Sequence, residues 1–154
     1  MMTDEHYMQR AIAQALLAQK NGEVPVGALV VDPDGQVVGE GANATISLRD
    51  ATAHAEILAL REAGRHLNNY RLPGCSLYVT LEPCAMCLGA IFHARLSRVV
   101  FATPDFKTGA CGSVVDLTVN PKLNHHTLFE QGVLQETCST LLSQFFKLKR
   151  QKVL

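Results

Sequence analysis

Residues 75–87 read Cys75-Ser76-Leu77-Tyr78-Val79-Thr80-Leu81-Glu82-Pro83-Cys84-Ala85-Met86-Cys87, a short apolar run that meets a proline and then two cysteines three positions apart. The apolar run predicts a strand over 75–81, and Pro83 opens a predicted helix over 83–95. Proline suits a first helical position because its missing N–H is not needed there. Cysteines three apart on a helix share a face, so both sulfurs can reach one ion. In the first turn, unpaired N–H groups and the helix dipole favour negative charge. Thiolate is the form that binds metal, so the placement suits a metal site.

Working outward, residues 53–66 predict a helix with Ile57, Leu58 and Leu60 on its apolar face. Residues 5–20 predict another, carried by Ile12, Leu16 and Leu17 and stopped by Asn21-Gly22. Strands are expected over 24–31 and 36–40, joined through Asp32-Pro33-Asp34-Gly35 as a hairpin. Further strands are expected over 98–101 and 127–133, with a glycine-rich loop at 109–113 between them. A closing helix over 135–150 carries Leu141, Leu142, Phe145 and Phe146. Helices alternating with short strands predict an α/β fold, with helices on both faces of one sheet. Ligands in such sheets bind at the carboxyl ends of strands, and the strand ending at Leu81 runs straight into Pro83-Cys84. No repeat, linker or low-complexity tract divides the chain, so residues 1–154 are expected to form one domain.

The 154 residues are 47% hydrophobic and 18% charged, which is globular rather than disordered, and large enough to bury a core. Formal net charge is zero, so any polyanion must be met by a local patch rather than a global field. No apolar run is long enough to span a membrane, and Met1-Met2-Thr3-Asp4-Glu5 is acidic and polar where a signal peptide would be basic. Five cysteines without an export signal predict reduced thiols in the cytoplasm. Cys75, Cys111 and Cys138 lie far apart and read as small core hydrophobes.

His54-Ala55-Glu56 supplies what the cysteine pair lacks. Two thiolates and one imidazole leave an open position on a tetrahedral zinc, which is the catalytic pattern; structural sites fill all four positions with protein. A carboxylate beside that position, here Glu56, can take a proton from water and hand it on. Residues two apart in mid-helix point in roughly opposite directions, so His54 and Glu56 converge only at an irregular helix start. Asp50 and Thr52 are candidate caps for such a start. A redox Cys-x-x-Cys needs no His-x-Glu partner, and a zinc ribbon needs a second cysteine pair that is absent here.

At these residues the sequence resembles the cytidine-deaminase-like superfamily and, within it, the bacterial tRNA adenosine deaminases. The resemblance rests on Thr52-Ala53-His54-Ala55-Glu56, on Thr80 to Ala90 through Pro83-Cys84-Ala85-Met86-Cys87, and on Lys107-Thr108-Gly109-Ala110 with Gly112-Ser113. It implies a three-layer α-β-α fold around a mixed five-stranded sheet. It also implies one zinc per subunit on His54, Cys84 and Cys87, with Glu56 as the catalytic residue. The implied reaction converts the wobble adenosine of a tRNA anticodon stem-loop to inosine, by a homodimer. Carried over residue by residue, substrate contacts fall on Val26, Asn43, Ala55, Leu81, Asp105, Lys107, Asn124, Phe146 and Arg150. Phe101-Ala102-Thr103-Pro104 and Cys111 depart from the family pattern around the RNA-facing loop.

Deaminases of a free base or nucleoside share the zinc constellation and remain an alternative. A zinc-stapled nucleic-acid-binding module would have no use for Glu56. The C-terminal stretch combines Phe145 and Phe146 with Lys147, Lys149, Arg150 and Lys152 and has no acid, which suits RNA.

Overall fold

The computed structural model describes residues 2–153, with side chains through Gln151, so Met1 and the expected cation of Lys152 lie outside the described part. The elements run α1 (Asp4–Lys20), β1 (Gly27–Val31), β2 (Val37–Ala42), α2 (Ala55–Leu67), β3 (Ser76–Leu81), α3 (Ala85–His93), β4 (Arg98–Thr103), β5 (Leu128–Gln131) and α4 (Gln135–Val153). The five strands form one sheet in the order β2-β1-β3-β4-β5. β1 pairs antiparallel with β2 and β3, whereas β3-β4 and β4-β5 are parallel, so the sheet is mixed.

Side chains alternate across a strand, and here both faces are covered. Ala28, Val30, Leu77, Val79, Val99 and Phe101 face the layer of α2 and α3. Leu29, Val31, Tyr78, Val100 and Ala102 face α1 and Cys138 of α4. The expected three-layer α-β-α architecture is therefore present. Arg98 ties three elements together at the amino ends of the parallel strands, reaching Asp4 of α1 at 2.7 Å and Glu130 of β5 at 2.7 Å.

The buried helix faces differ from the expected ones. α1 buries Tyr7, Met8, Ala11, Ala15 and Ala18, while Leu16 and Leu17 are nearly half exposed. α2 buries Ala55, Glu56, Ala59 and Ala63, with Ile57, Leu58 and Leu60 only half-buried. Close backbone approach is the reason. A Cβ on Gly27 would overlap the carbonyl of Ala11 and lie 2.5 Å from Ala15 N, and one on Gly41 would overlap the carbonyl of Ala55. Small residues on both sides let helix and sheet touch, and the large aliphatics are displaced sideways.

Element ends shift too. Val26 N bonds back to Val24 O, so β1 starts at Gly27 rather than at residue 24. β4 continues to Thr103, whose carbonyl accepts from Glu82 N at 2.9 Å and keeps the ends of β3 and β4 together. α3 starts at Ala85 with Cys84 as its N-cap, so Pro83 precedes the helix instead of opening it. β5 spans only Leu128–Gln131.

Candidate active site

Two helix starts converge beyond the carboxyl end of β3. His54 is the N-cap of α2 with extended backbone (φ −72°, ψ 153°), and Cys84 is the N-cap of α3 in a similar conformation (φ −80°, ψ 174°). Neither side chain caps its own helix, so both are free to turn toward one point. Cys87 completes the group from the first turn of α3. His54 Nδ1 lies 3.6 Å from Cys84 Sγ and 3.5 Å from Cys87 Sγ. A tetrahedral zinc with Zn–S of about 2.3 Å and Zn–N of about 2.0–2.1 Å requires N···S separations of about 3.5–3.6 Å. The three side chains fit zinc, and among the described residues they form the cluster with metal-ligand spacing. The hydrogen bond from the Cys87 thiol holds Cys84 down to about 4, so a thiolate stands ready; donating that bond pushes Cys87 up.

His54 and Glu56 converge because His54 stands before the first turn of α2. Asp50 and Thr52 do not cap that helix: Asp50 Oδ1 accepts from the Thr52 backbone N–H at 2.9 Å and from its hydroxyl at 2.7 Å, closing the preceding turn. Glu56 is 4% exposed, and burial pushes its carboxyl up to about 7. Its neighbours are the metal-ligating side chains.

A cavity of about 240 Å³ opens onto this group. Val26, Asn43, Ala55, Leu81 and Asp105 line it together with His54, Glu56 and Cys84, so five of the expected substrate-contacting residues are brought to one place. Asn43 Nδ2 donates to Val24 O at 3.3 Å, which leaves its second amide hydrogen for a ligand. Lys107 and Phe146 stand outside the cavity, with Lys107 Nζ 5.7 Å above the Phe146 ring. Arg150 is exposed on α4. Asn124 is exposed and distant: its neighbour His125 bonds Leu96 O at 2.7 Å, at the amino end of β4 and thus across the sheet from the cavity.

Two buried carboxylates that sequence reasoning passed over hold the cavity walls. Glu82 accepts from the backbone N–H groups of Asp105 (3.0 Å), Cys111 (2.8 Å) and Ser113 (3.3 Å), and from the Ser113 hydroxyl. Glu23, 1% exposed, accepts from Ile46 N at 3.1 Å and Ser47 N at 2.7 Å, anchoring the loop that carries Thr45 into the cavity wall. Glu82 sits directly before Pro83-Cys84, a position that could have marked it. Glu23 follows a helix stop and reads like any solvated charge, so nothing in the sequence singles it out.

The zinc-binding region of cytidine and deoxycytidylate deaminases matches residues 1–103. A tRNA-specific adenosine deaminase of Haemophilus influenzae is 48% identical over 149 residues, which are 97% of this chain and 86% of that relative. A solved structure from studies of A-to-I editing by tRNA deaminases at the wobble position of transfer RNA is 41% identical with a TM-score of 0.85, over 89% of this chain and 99% of that one. A guanine deaminase from Bacillus subtilis is 34% identical with a TM-score of 0.65, over 93% and 94% of the two chains. The similarity takes in every element that builds the zinc site and its cavity, and the chain belongs to the zinc-binding cytidine and deoxycytidylate deaminase family, among the tRNA-specific adenosine deaminases.

Proposed function

We propose that this chain hydrolytically deaminates adenosine to inosine at the wobble position of a tRNA anticodon stem-loop. The observation that carries the reading is the meeting of His54, Cys84 and buried Glu56 in one cavity, with Cys87 Sγ 3.5 Å from His54 Nδ1 behind them. The likeness to tRNA-specific adenosine deaminases over nearly the whole chain supports the choice of substrate.

His54, Cys84 and Cys87 would hold the zinc, which when bound supplies the Lewis acidity that makes water nucleophilic near neutral pH. Glu56 takes a proton from the attacking water and delivers it to N1 of the adenine. Water oxygen bonds to C6, the C6–N6 bond breaks, and Glu56 passes the second proton to the leaving ammonia. A buried carboxyl beside the three metal-ligating side chains is placed to accept a proton from water and to donate it again. Asn43 offers its amide to the purine edge, while Val26, Ala55 and Leu81 shape the walls. A base in an anticodon loop is unpaired, so extruding it into the cavity costs little. Lys107, Phe146 and Arg150 form a cationic and aromatic rim suited to the loop backbone, and Asn124 reaches RNA only away from the cavity.

No helix among the described residues is long and apolar enough to cross a membrane. A cytoplasmic enzyme fits the reduced cysteines and a tRNA substrate. An apolar groove of about 910 Å³ between α2 and α3, bordered by Ile57, Leu60, Tyr70, Ala90 and Ala94, supports a homodimer through this face. Sedimentation of a Leu60→Glu variant tests it: the dimer should dissociate.

To test the activity, zinc-loaded protein is incubated with an anticodon stem-loop RNA, adenosine, cytidine and guanine, and released ammonia is measured. The stem-loop should be the preferred substrate. Ammonia from guanine alone would assign the cavity to free bases.

A further inference from the structure

Phe106 is 80% exposed, more than any other exposed large apolar side chain among the described residues. A single exposed apolar residue is ordinary on a protein surface. Phe106 differs in its place and in how firmly its backbone is held. It lies between Asp105 and Lys107, and Asp105 and Thr108 both line the substrate cavity. The turn is pinned from below by Glu82, whose carboxylate accepts from Asp105 N at 3.0 Å. It is pinned from within by Asp105, whose carboxylate accepts from Lys107 N (3.0 Å), Thr108 N (3.3 Å) and the Thr108 hydroxyl (2.9 Å). Gly109 N then closes onto Asp105 O at 2.9 Å, and Gly109 bridges to the zinc ligand Cys84.

None of these bonds needs an aromatic at position 106. The side chain buries too little surface to stabilise the fold through the hydrophobic effect. What the turn does is hold the backbone that carries the ring between two residues of the cavity wall, Asp105 and Thr108, and leave the ring face open to solvent. Beside it Lys107 carries a cation that is itself held over the Phe146 ring. Ring and cation together match the two parts of a single-stranded nucleotide, a π-face and a phosphate. The cavity has room for one extruded base, so its neighbours in the strand must lie across the mouth.

We infer that Phe106 is a stacking platform for a nucleobase adjacent to the target base, with Lys107 meeting the intervening phosphate. The inference rests on the RNA reading given under Proposed function and extends it to the neighbouring nucleotide. A second protein chain covering Phe106 would be the competing explanation, and the experiment separates the two.

Phe106→Ala, Phe106→Leu and Phe106→Trp are compared with the unaltered protein for zinc content, melting temperature and sedimentation. Each is then assayed for kcat and KM on an anticodon stem-loop. A parallel set of stem-loops carries 2-aminopurine on either side of the target. Loss of one stacked base should raise KM about 5- to 150-fold in Phe106→Ala, with kcat at saturating RNA within about twofold. Phe106→Leu keeps the apolarity but loses the ring face, so it should behave like Ala; Trp should restore the original KM. Fluorescence of one neighbouring 2-aminopurine should be quenched by the unaltered and Trp proteins and not by the Ala protein. Equal KM values and equal fluorescence across the series would overturn the platform. A shift from dimer to monomer in Phe106→Ala would overturn it in favour of a subunit contact. If the unaltered protein makes no inosine in the stem-loop, the underlying substrate reading fails and this inference with it. If it makes inosine and Phe106→Ala does so at the same KM, only this inference fails.

Discussion

His54 Nδ1 lies 3.6 Å from Cys84 Sγ because each residue is the extended N-cap of its own helix. The two helices deliver their first turns, rich in unpaired N–H groups, to one point at the end of the sheet. Cys84→Ala or Cys87→Ala should therefore release the zinc and lower the melting temperature, since two remaining protein ligands hold the ion weakly. Elemental analysis finding full occupancy in either variant would contradict the assignment.

Glu56 stands in the first turn of α2, and the proposed reaction gives it the protons to move rather than the metal to hold. Glu56→Gln keeps the shape of the side chain and removes its ability to carry a proton. Zinc content and melting temperature should hold, while kcat falls by about 10²- to 10⁴-fold. Retained turnover would mean that another group moves the protons.

The local chemistry was legible in the sequence because it is written in short, chemically restrictive spacings. His54, Glu56, Cys84 and Cys87 assemble as their spacing implied, and the alternation of helices and strands gave the three layers. What escaped were features set by tertiary contact. Periodicity favours Leu16 and Leu17 as the buried face of α1, yet Gly27 draws the backbone so close that only Ala11 and Ala15 fit beneath it. The start of α2 moves from the expected residue 53 to Ala55, while the irregular start that the convergence of His54 and Glu56 requires is present as the extended N-cap His54.

Glu82 holds three backbone N–H groups of the loop that forms one wall of the cavity. Glu82→Ala leaves those donors without their carboxylate, and buried donors left unpaired cost about 1–3 kcal/mol each. Amide hydrogen exchange at Asp105 and Cys111 should accelerate, and KM for RNA should rise more than kcat falls. Unchanged exchange at both positions would show that the loop is held by other contacts.

Asp4 links stability to pH at the opposite end of the sheet. The Arg98 guanidinium that hydrogen-bonds it holds its carboxyl below the ordinary 3.8, against the opposing effect of burial. A carboxyl depressed by folding stabilises the native state fully above its ordinary value, and that contribution disappears as pH falls through the folded value. Asp4→Asn should therefore be less stable than the unaltered protein at pH 7. The gap should narrow only below about pH 4, as Asp4 itself protonates. Denaturant midpoints measured from pH 7 to pH 2 check this; a gap that stays constant over the whole range would remove the Arg98 ion pair as its source.

The central claim is that the cavity beside His54, Glu56, Cys84 and Cys87 takes one adenine from the anticodon loop and replaces its amino group with oxygen from water. The most direct measurement treats an unmodified tRNA bearing a wobble adenosine with zinc-loaded protein in ¹⁸O-labelled water, then maps the nucleosides by mass spectrometry. The account predicts inosine carrying a single ¹⁸O at the wobble position, with every other adenosine unchanged. A tRNA that stays unmodified, while the same protein releases ammonia from free guanine or cytidine, would contradict it.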